Sequence, residues 1–199
     1  MNPMKKLLIF LFCSTMSFAQ NNLVSAEKFQ AELNRSFADS LKSPLMKKDF
    51  EVFKSLDFFP LNEKYIVEAK FIRTKKEKAF AMKTTTSRTP LYVKYGELHF
   101  IIDGKDLKLN VYKNIDLSKK SGYEDYLFLP FSDLTCGKES YIGGRYVDIR
   151  MQKGKTWIID FNKAYNPYCA YNYEYSCPIV PLENDLDIEI LAGVKKFHD

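Results

Sequence analysis

Residues that commonly carry out chemistry at neutral pH are scarce in this sequence. It has only two histidines, His99 and His198, and it contains no serine nucleophile elbow, no glycine-rich phosphate loop and no HExxH zinc motif. Its histidines and cysteines are not spaced like the three or four ligands of a zinc site. The sequence therefore predicts neither a metal nor a cofactor, and it leaves catalysis undecided.

Long apolar segments are also missing beyond the N-terminal region, which excludes a transmembrane helix in the rest of the chain. The formal net charge is only +5 in 199 residues, and the lysines are scattered apart from a short cluster at 75–78. So weak and dispersed a positive charge does not indicate a nucleic-acid partner. We therefore expect the partner to be a small molecule of unknown chemistry or a component of the cell envelope.

Residues 1–19 have the parts of a secretory signal peptide. Two lysines precede a short apolar run at 7–12, and small residues occupy the −3 and −1 positions of a cleavage site before Gln20. We therefore expect an exported protein, periplasmic or extracellular, whose mature chain is one domain at 20–199. Cys13 offers lipid attachment as an alternative, but the bulky phenylalanine before it disfavours that modification.

Three cysteines follow the predicted cleavage site. In an oxidising compartment Cys169 and Cys177, the nearest pair in the sequence, can form a disulfide. Cys136 would then be unpaired, and we expect it to be buried, which is the common fate of a free cysteine.

A period of four residues predicts a helical region at about 25–56. The first helix, at 25–42, would have Ser25 as its N-cap and one apolar face. The apolar residues of that face are Phe29, Leu33, Phe37 and Leu41. Pro44 ends this helix and suits the start of a second one, which ends before Pro60.

After Pro60 apolar residues alternate with polar ones, which predicts β-strands. The predicted strands are 65–74, 79–87, 90–95, 97–103, 106–113, 125–131, 145–151, 155–162 and 186–191. The β core would extend over about 64–196, with an aromatic loop at 163–185. Short antiparallel strands after helices predict a mainly β fold, an antiparallel barrel or sandwich with an N-terminal helical cap.

A two-residue turn at Gly104-Lys105 predicts the first hairpin. In that register Leu98 lies opposite Val111, and His99 lies on the polar face next to Asn110. The residues expected to be buried together are Leu98, Phe100, Ile102, Leu107, Leu109 and Val111.

A second two-residue turn, at 153–154, would pair the strands on either side of it. Arg145 would then lie opposite Asn162 and one diagonal step from Asp160, on a face that is otherwise apolar. A buried arginine needs a charged partner. This constellation is either a structural Arg–Asp pair that closes one end of a barrel, or a site for an anion or a polar ligand.

Tyrosines are concentrated in one stretch of the chain: seven of the 13 fall between Tyr141 and Tyr175. Tyrosine supplies apolar area and a hydroxyl together. The stretch is therefore either a loop that its aromatic rings hold in place, or the wall of a binding cleft.

Two long motifs occupy the second half of the chain. The first, at 131–146, reads FSDLTCGKESYIGGRY; the second, at 160–193, begins DFNKAYNPYC and ends in Ala-Gly. Together they resemble the bacterial family known as domain of unknown function 1684, over about 53–196. Val194 and Cys136 replace an acidic and a small hydroxyl residue of that family, and neither change disturbs the main motifs.

The resemblance implies no reaction, but it sharpens the candidate binding site. The candidate residues are Asp133, Lys138, Glu139, Tyr141, Arg145, Tyr146, Asp160, Asn162, Tyr165, Asn166 and Asn184. Relatives without export signals would keep their cysteines reduced, which makes the bridge between Cys169 and Cys177 less expected.

Two functions remain compatible with the sequence. The first is a non-enzymatic binding or structural module, which the missing catalytic motifs and the aromatic loop favour. The alternative is a hydrolase-like enzyme that uses carboxylates among Asp133, Glu139 and Asp160. A cavity that holds two carboxylates would favour the enzyme, and a flat, filled surface would favour the module.

Overall fold

Alternating apolar residues build the eight strands that dominate the structure, a computed structural model that describes residues 23–198. The strands are β1 (Ile66–Arg73), β2 (Phe80–Ala81), β3 (Leu91–Ile102), β4 (Lys105–Asn114), β5 (Tyr126–Asp133), β6 (Arg145–Arg150), β7 (Thr156–Asp160) and β8 (Asp185–Leu186). Within the described residues two helices precede them, α1 at 23–38 and α2 at Lys47–Phe50. The predicted signal peptide and Cys13 lie outside the described residues.

The strands form one sheet in the order β6-β5-β4-β3-β1-β7, and every neighbouring pair on this path is antiparallel. Two short strands join it from the side: β2 pairs with β3, and β8 pairs in parallel with β5. The sheet curls into a half-barrel, which confirms the mainly β fold with a helix at its N-terminal side. No helix within 23–198 combines the length and apolarity that crossing a membrane requires.

The predicted hairpin between β6 and β7 is wrong. β6 pairs with β5, so that Val147 faces Leu129, and β7 pairs with β1, so that Ile158 faces Glu68. These two strands are therefore the opposite edges of the sheet, and the connection between them crosses from one edge to the other. Arg145 consequently does not lie opposite Asn162.

The first hairpin is present, but its turn lies one residue earlier than predicted. Asp103 and Gly104 both have positive φ, 52° and 74°, as a type I′ turn requires. Leu98 therefore faces Leu109, and His99 faces Lys108 instead of Asn110. The shift changes each partner by two residues, so every side chain keeps its predicted face.

The buried face of this hairpin is therefore the predicted one. Leu98, Phe100, Ile102, Leu109 and Val111 are buried, Leu107 is partly buried, and the His99 side chain is 40% exposed. They join the core with apolar residues of β1, β5, β6 and β7, among them Trp157. Phe161, which follows β7 directly, belongs to the same core. Fully burying one such side chain contributes about 1.5–3 kcal/mol of hydrophobic free energy.

The helical region is shorter than predicted. Residues 23–24 are already helical, so Ser25 is not the N-cap, and α1 ends at 38, which leaves Leu41 92% exposed. The Asp39 carboxylate accepts a hydrogen bond from the Leu41 backbone N–H, an arrangement that competes with helix continuation. The second predicted helix is reduced to the single turn of α2.

Four predicted strands also differ from the observed ones. The strand at 79–87 is reduced to β2, and the strand at 186–191 is replaced by the two residues of β8. The strands at 90–95 and 97–103 are one continuous β3, with an irregularity between Lys94 and Gly96. Irregular segments thus replace strands where the chain leaves the sheet.

Candidate functional site

The most deeply buried charge of the predicted site is Arg145, which is 0% exposed at the start of β6. Its Nη2 donates to Asp133 Oδ2 at 2.8 Å and to the Ile190 carbonyl at 2.8 Å, and its Nη1 donates to the Ala192 carbonyl. Asp133 is also enclosed: its Oδ1 accepts from the backbone N–H of Thr135 at 2.9 Å. This ion pair ties the C-terminal segment to the sheet and is closed to a ligand.

Asp160 and Asn162 form a separate cluster and do not contact Arg145. Asp160 Oδ1 accepts from the Asn162 backbone N–H at 3.1 Å and from its Nδ2 at 3.0 Å. The Asn162 amide also pairs with the backbone of Asn62, accepting at 2.9 Å and donating at 3.0 Å. The predicted pairing of Arg145 with these residues is wrong, and their polar groups connect the end of β7 to the segment before β1.

The other asparagines of the predicted site also bind backbone. Asn184 Oδ1 accepts from Asn110 N–H at 2.9 Å, and its Nδ2 donates to the Asn110 and Pro130 carbonyls at 2.8 and 2.6 Å. Its amide therefore fills the gap where β4 and β5 diverge. Asn166 Nδ2 similarly donates to the Lys195 carbonyl at 2.9 Å.

The remaining members of the first motif lie in a turn after β5. Lys138 and Glu139 are exposed, and the Glu139 carbonyl accepts from Lys196 N–H at 2.9 Å. Tyr141 is partly buried, with its hydroxyl 4.0 Å from Cys169 Sγ.

A cavity of about 400 Å³ lies where α1 covers the sheet, and aromatic rings form most of its lining. The lining residues are Phe29, Leu33, Tyr92, Leu117, Tyr126, Phe128, Tyr146, Asp148, Tyr165, Pro167, Tyr168, Tyr175, Ser176, Cys177 and Pro178. We call this the aromatic cavity. Its volume lies in the range of small-molecule sites.

Two pairs of rings in the aromatic cavity meet nearly at right angles. Tyr146 and Tyr165 have centroids 5.9 Å apart and an interplanar angle of 89°, and Phe128 and Tyr146 are 4.7 Å apart at 75°. This arrangement presents both ring faces and ring edges to the enclosed space.

Among the described residues that line this cavity, Asp148 is the only acidic or basic one. It projects from β6 and is exposed, and its Oδ1 accepts hydrogen bonds from the Tyr126 and Tyr165 hydroxyls, both at 2.7 Å. Burial, and then the negative charge of Asp148, raises the pKa of both tyrosines. Both hydroxyls therefore stay protonated at neutral pH and hold the carboxylate in place.

A second cavity, of about 290 Å³, occupies the seam between the two edge strands, β6 and β7. Tyr146 and Tyr165 close one end of the seam by exchanging two backbone hydrogen bonds, at 2.9 and 3.0 Å. Both Asp148 and Asp160 line this seam cavity, together with Lys163, whose Nζ lies 3.6 Å from Asp160 Oδ2.

Cys169 and Cys177 are free thiols in contact: the Cys169 backbone N–H donates to Cys177 Sγ at 3.2 Å. Their disulfide stays a prediction. Cys136 is also free and partly buried, with its Sγ 3.4 Å from the Asp133 backbone nitrogen.

Of the predicted binding residues, only Tyr146 and Tyr165 line the aromatic cavity. The predicted binding residues did not include Asp148, Tyr92 and Tyr126. One signal was available for Asp148, because it is an acidic residue directly between the apolar residues Val147 and Ile149. The contributions of distant strands and of α1 had no local signal.

Comparisons with known proteins agree with the predicted family. A family model described as "Protein of unknown function (DUF1684)" matches residues 51–195. A search of curated proteins finds no match. Among solved structures, the chain is similar to the solution NMR structure of an uncharacterised protein of Haloarcula marismortui, with 29% identity, a TM-score of 0.71, and coverage of 90% of this chain and 96% of the other.

The family match extends over more than half of the chain and nearly coincides with the predicted range of 53–196. Bacterial origin stays a prediction. The protein belongs to the DUF1684 family of proteins of unknown function.

Proposed function

We propose that this protein is an exported, non-enzymatic binding protein whose aromatic cavity takes a small organic cation. The observation that supports the proposal is the Asp148 carboxylate, which two tyrosine hydroxyls hold at the wall of an aromatic box. Both hydroxyls donate to Oδ1, so Oδ2 can accept from a ligand. Aromatic faces attract cations through their quadrupole, and a fixed carboxylate adds charge complementarity.

The choice of ligand class can be tested by calorimetric titration with choline and with its neutral carbon isostere, 3,3-dimethylbutan-1-ol. We expect choline to bind more tightly, and Asp148→Asn to weaken its binding by about tenfold, because a cation–π site retains part of the affinity. Asp187→Asn is the matched control, since Asp187 is an exposed aspartate remote from the cavity. Equal binding of the isostere, or unchanged choline binding in Asp148→Asn, would contradict the proposal.

Export is the second part of the proposal. The lysine-rich start, the apolar run at 7–12 and the small residues before Gln20 support it. Mass spectrometry of the protein from its native host should find an N-terminus at Gln20. An intact Met1 on cytoplasmic protein would contradict export without affecting the binding site.

A hydrolase-like enzyme is the second candidate, and one observation favours it: Asp148 and Asp160 line the same seam cavity. The three carboxylates that the sequence suggested, Asp133, Glu139 and Asp160, do not form one site. Asp133 is buried against Arg145, and Glu139 is exposed in a turn. If the seam were catalytic, Asp160→Asn would abolish hydrolysis of a chromogenic glycoside or ester and leave choline binding unchanged.

A further inference from the structure

The fold brings Cys169 and Cys177 together from the two ends of one loop. Cys169 lies in the single helical turn Tyr168–Ala170. Cys177 is anchored from its other side by Thr85, whose hydroxyl accepts from Cys177 N–H at 3.1 Å and whose N–H donates to the Cys177 carbonyl at 2.9 Å. Because backbone hydrogen bonds hold the two cysteines side by side, their sulfurs need little rearrangement to form a disulfide.

The two thiols have different surroundings. Cys177 is buried, with 6% of its surface exposed, whereas Cys169 is partly exposed. The Cys169 sulfur is within hydrogen-bonding reach of the Cys177 thiol. It also lies 4.0 Å from the Tyr141 hydroxyl. These donors, Cys177 first, lower the pKa of Cys169 to about 6, against the opposing effect of burial. An accessible thiolate beside a buried thiol is the arrangement that a nucleophilic and a resolving cysteine require.

We propose that Cys169 and Cys177 form a redox-active dithiol that small disulfides oxidise, with Cys169 as the attacking thiolate and Cys177 as the resolving thiol. In the first step the Cys169 thiolate attacks one sulfur of a disulfide RSSR; its S–S bond breaks, a mixed disulfide forms and RS⁻ leaves. In the second step Cys177 loses its proton and attacks the Cys169 sulfur, which expels the second RS⁻. The two cysteines together lose two electrons and form their disulfide, and RSSR gains these electrons and leaves as two RS⁻. The two RS⁻ take up the protons that the cysteines release and become two RSH.

The disulfide would form at the wall of the aromatic cavity. Tyr168 and Pro178, the neighbours of the two cysteines in the chain, both line the cavity, as does Cys177 itself. The dithiol does not depend on what the cavity binds, and its test uses no cavity ligand.

The test is reaction of the reduced protein with oxidised glutathione, followed by alkylation and peptide mass spectrometry. Wild type should lose two hydrogens and yield a peptide pair linked through Cys169 and Cys177. Cys177→Ser should accumulate one glutathione on Cys169, whereas Cys169→Ser should react at Cys177 at least tenfold more slowly. Cys136→Ser is the matched control and should behave as wild type, and Tyr141→Phe should slow the first step severalfold.

Thermal unfolding of each serine variant checks that its fold is retained, so that altered reactivity is not a result of unfolding. Equal glutathione incorporation at Cys169 and Cys177 in the single variants would overturn the proposal. So would a wild-type protein that accumulates mixed disulfides without forming the bridge.

Discussion

At the scale of single residues, buried charges account for most of the difference between the predicted and the observed site. Arg145 and Asp133 were both selected from the sequence as site residues, and both are fully buried against each other. A sequence shows that a charged residue lies among apolar ones, but it does not show whether the enclosing surface is protein or an open cleft. The partner of Arg145 lies on β5, two residues beyond its cross-strand neighbour Phe131, whereas the sequence paired β6 with the wrong strand.

Removing this buried guanidinium should lower the free energy of unfolding by about 3–5 kcal/mol, because Arg145→Ala strands the Asp133 carboxylate and the carbonyls of 190 and 192. Arg150→Ala is the matched control on the same strand: its ion pair with Asp125 is exposed, so the loss should be much smaller. Denaturant titration of both variants measures the difference. Equal losses would show that the buried pair is not a structural tie.

Gly144 illustrates why a motif glycine precedes Arg145. It has φ +81°, and a Cβ there would lie 2.6 Å from the Phe131 carbonyl oxygen. Gly144→Ala should therefore cost about 2–5 kcal/mol, the sum of left-handed backbone strain and overpacking. Gly154 has nearly the same φ, +82°, with nothing near its Cβ position, so Gly154→Ala should cost only about 1–2 kcal/mol. Similar melting temperatures for the two variants would contradict this account.

At the scale of elements, the sequence predicted the bounds of the longer strands well, but it did not predict which strands pair. β1, β4 and β5 have bounds within about two residues of the predicted ones. The predicted pairing of β6 with β7 is wrong because a turn that contains a glycine, here Gly154, permits a hairpin without requiring one. The order of strands in the sheet places β6 and β7 at opposite edges, and curling of the sheet brings these edges together. No local signal in the sequence reports either property.

The free edge of β7 is covered by a side chain instead of a strand. Gln152 Oε1 accepts from the Ile158 backbone N–H at 2.8 Å, and its Nε2 donates to the Ile158 carbonyl at 2.9 Å. Such covering removes unpaired backbone groups that would otherwise recruit another strand.

Hydrogen exchange should show this protection directly. Gln152→Ala should accelerate exchange of the Ile158 amide by roughly tenfold, since one hydrogen bond is worth about 1 kcal/mol. The amide of Ile159, which pairs with Val67 of β1, is the internal reference and should be unaffected. Lys153→Ala controls for a change in the same connection. Unchanged protection of Ile158 would mean that something other than Gln152 covers the edge.

At the scale of the whole molecule, the candidate site is assembled from parts that are distant in sequence. Phe29 comes from α1, Tyr92 from β3, Tyr126 from β5 and Tyr165 from the loop after β7. Four tyrosines of the dense stretch at 141–175 line this cavity, and the sequence had left open whether that stretch is a packed loop or the wall of a cleft. The opposite walls depend on the sheet order and on where the helix docks, and both are properties of the complete fold.

α1 has two separable roles in this assembly, and two phenylalanines on the same face distinguish them. Phe37 is buried, with its ring 4.7 Å from Tyr171 and 6.1 Å from Phe53, so it anchors the helix. Phe29 is only partly buried and lines the aromatic cavity, with its ring 6.4 Å from Tyr165.

Phe37→Ala should therefore lower the free energy of unfolding by about 3–5 kcal/mol, as truncation of a buried phenylalanine does. Phe29→Ala should cost less stability but weaken choline binding severalfold, because a cation–π contact at a partly exposed site is worth about 0.5–1 kcal/mol. Denaturant unfolding and calorimetric titration on the two variants separate these effects. A Phe29→Ala variant that binds choline like the wild type would place the ligand away from α1, and a fully stable Phe37→Ala variant would show that the helix is not anchored through this ring.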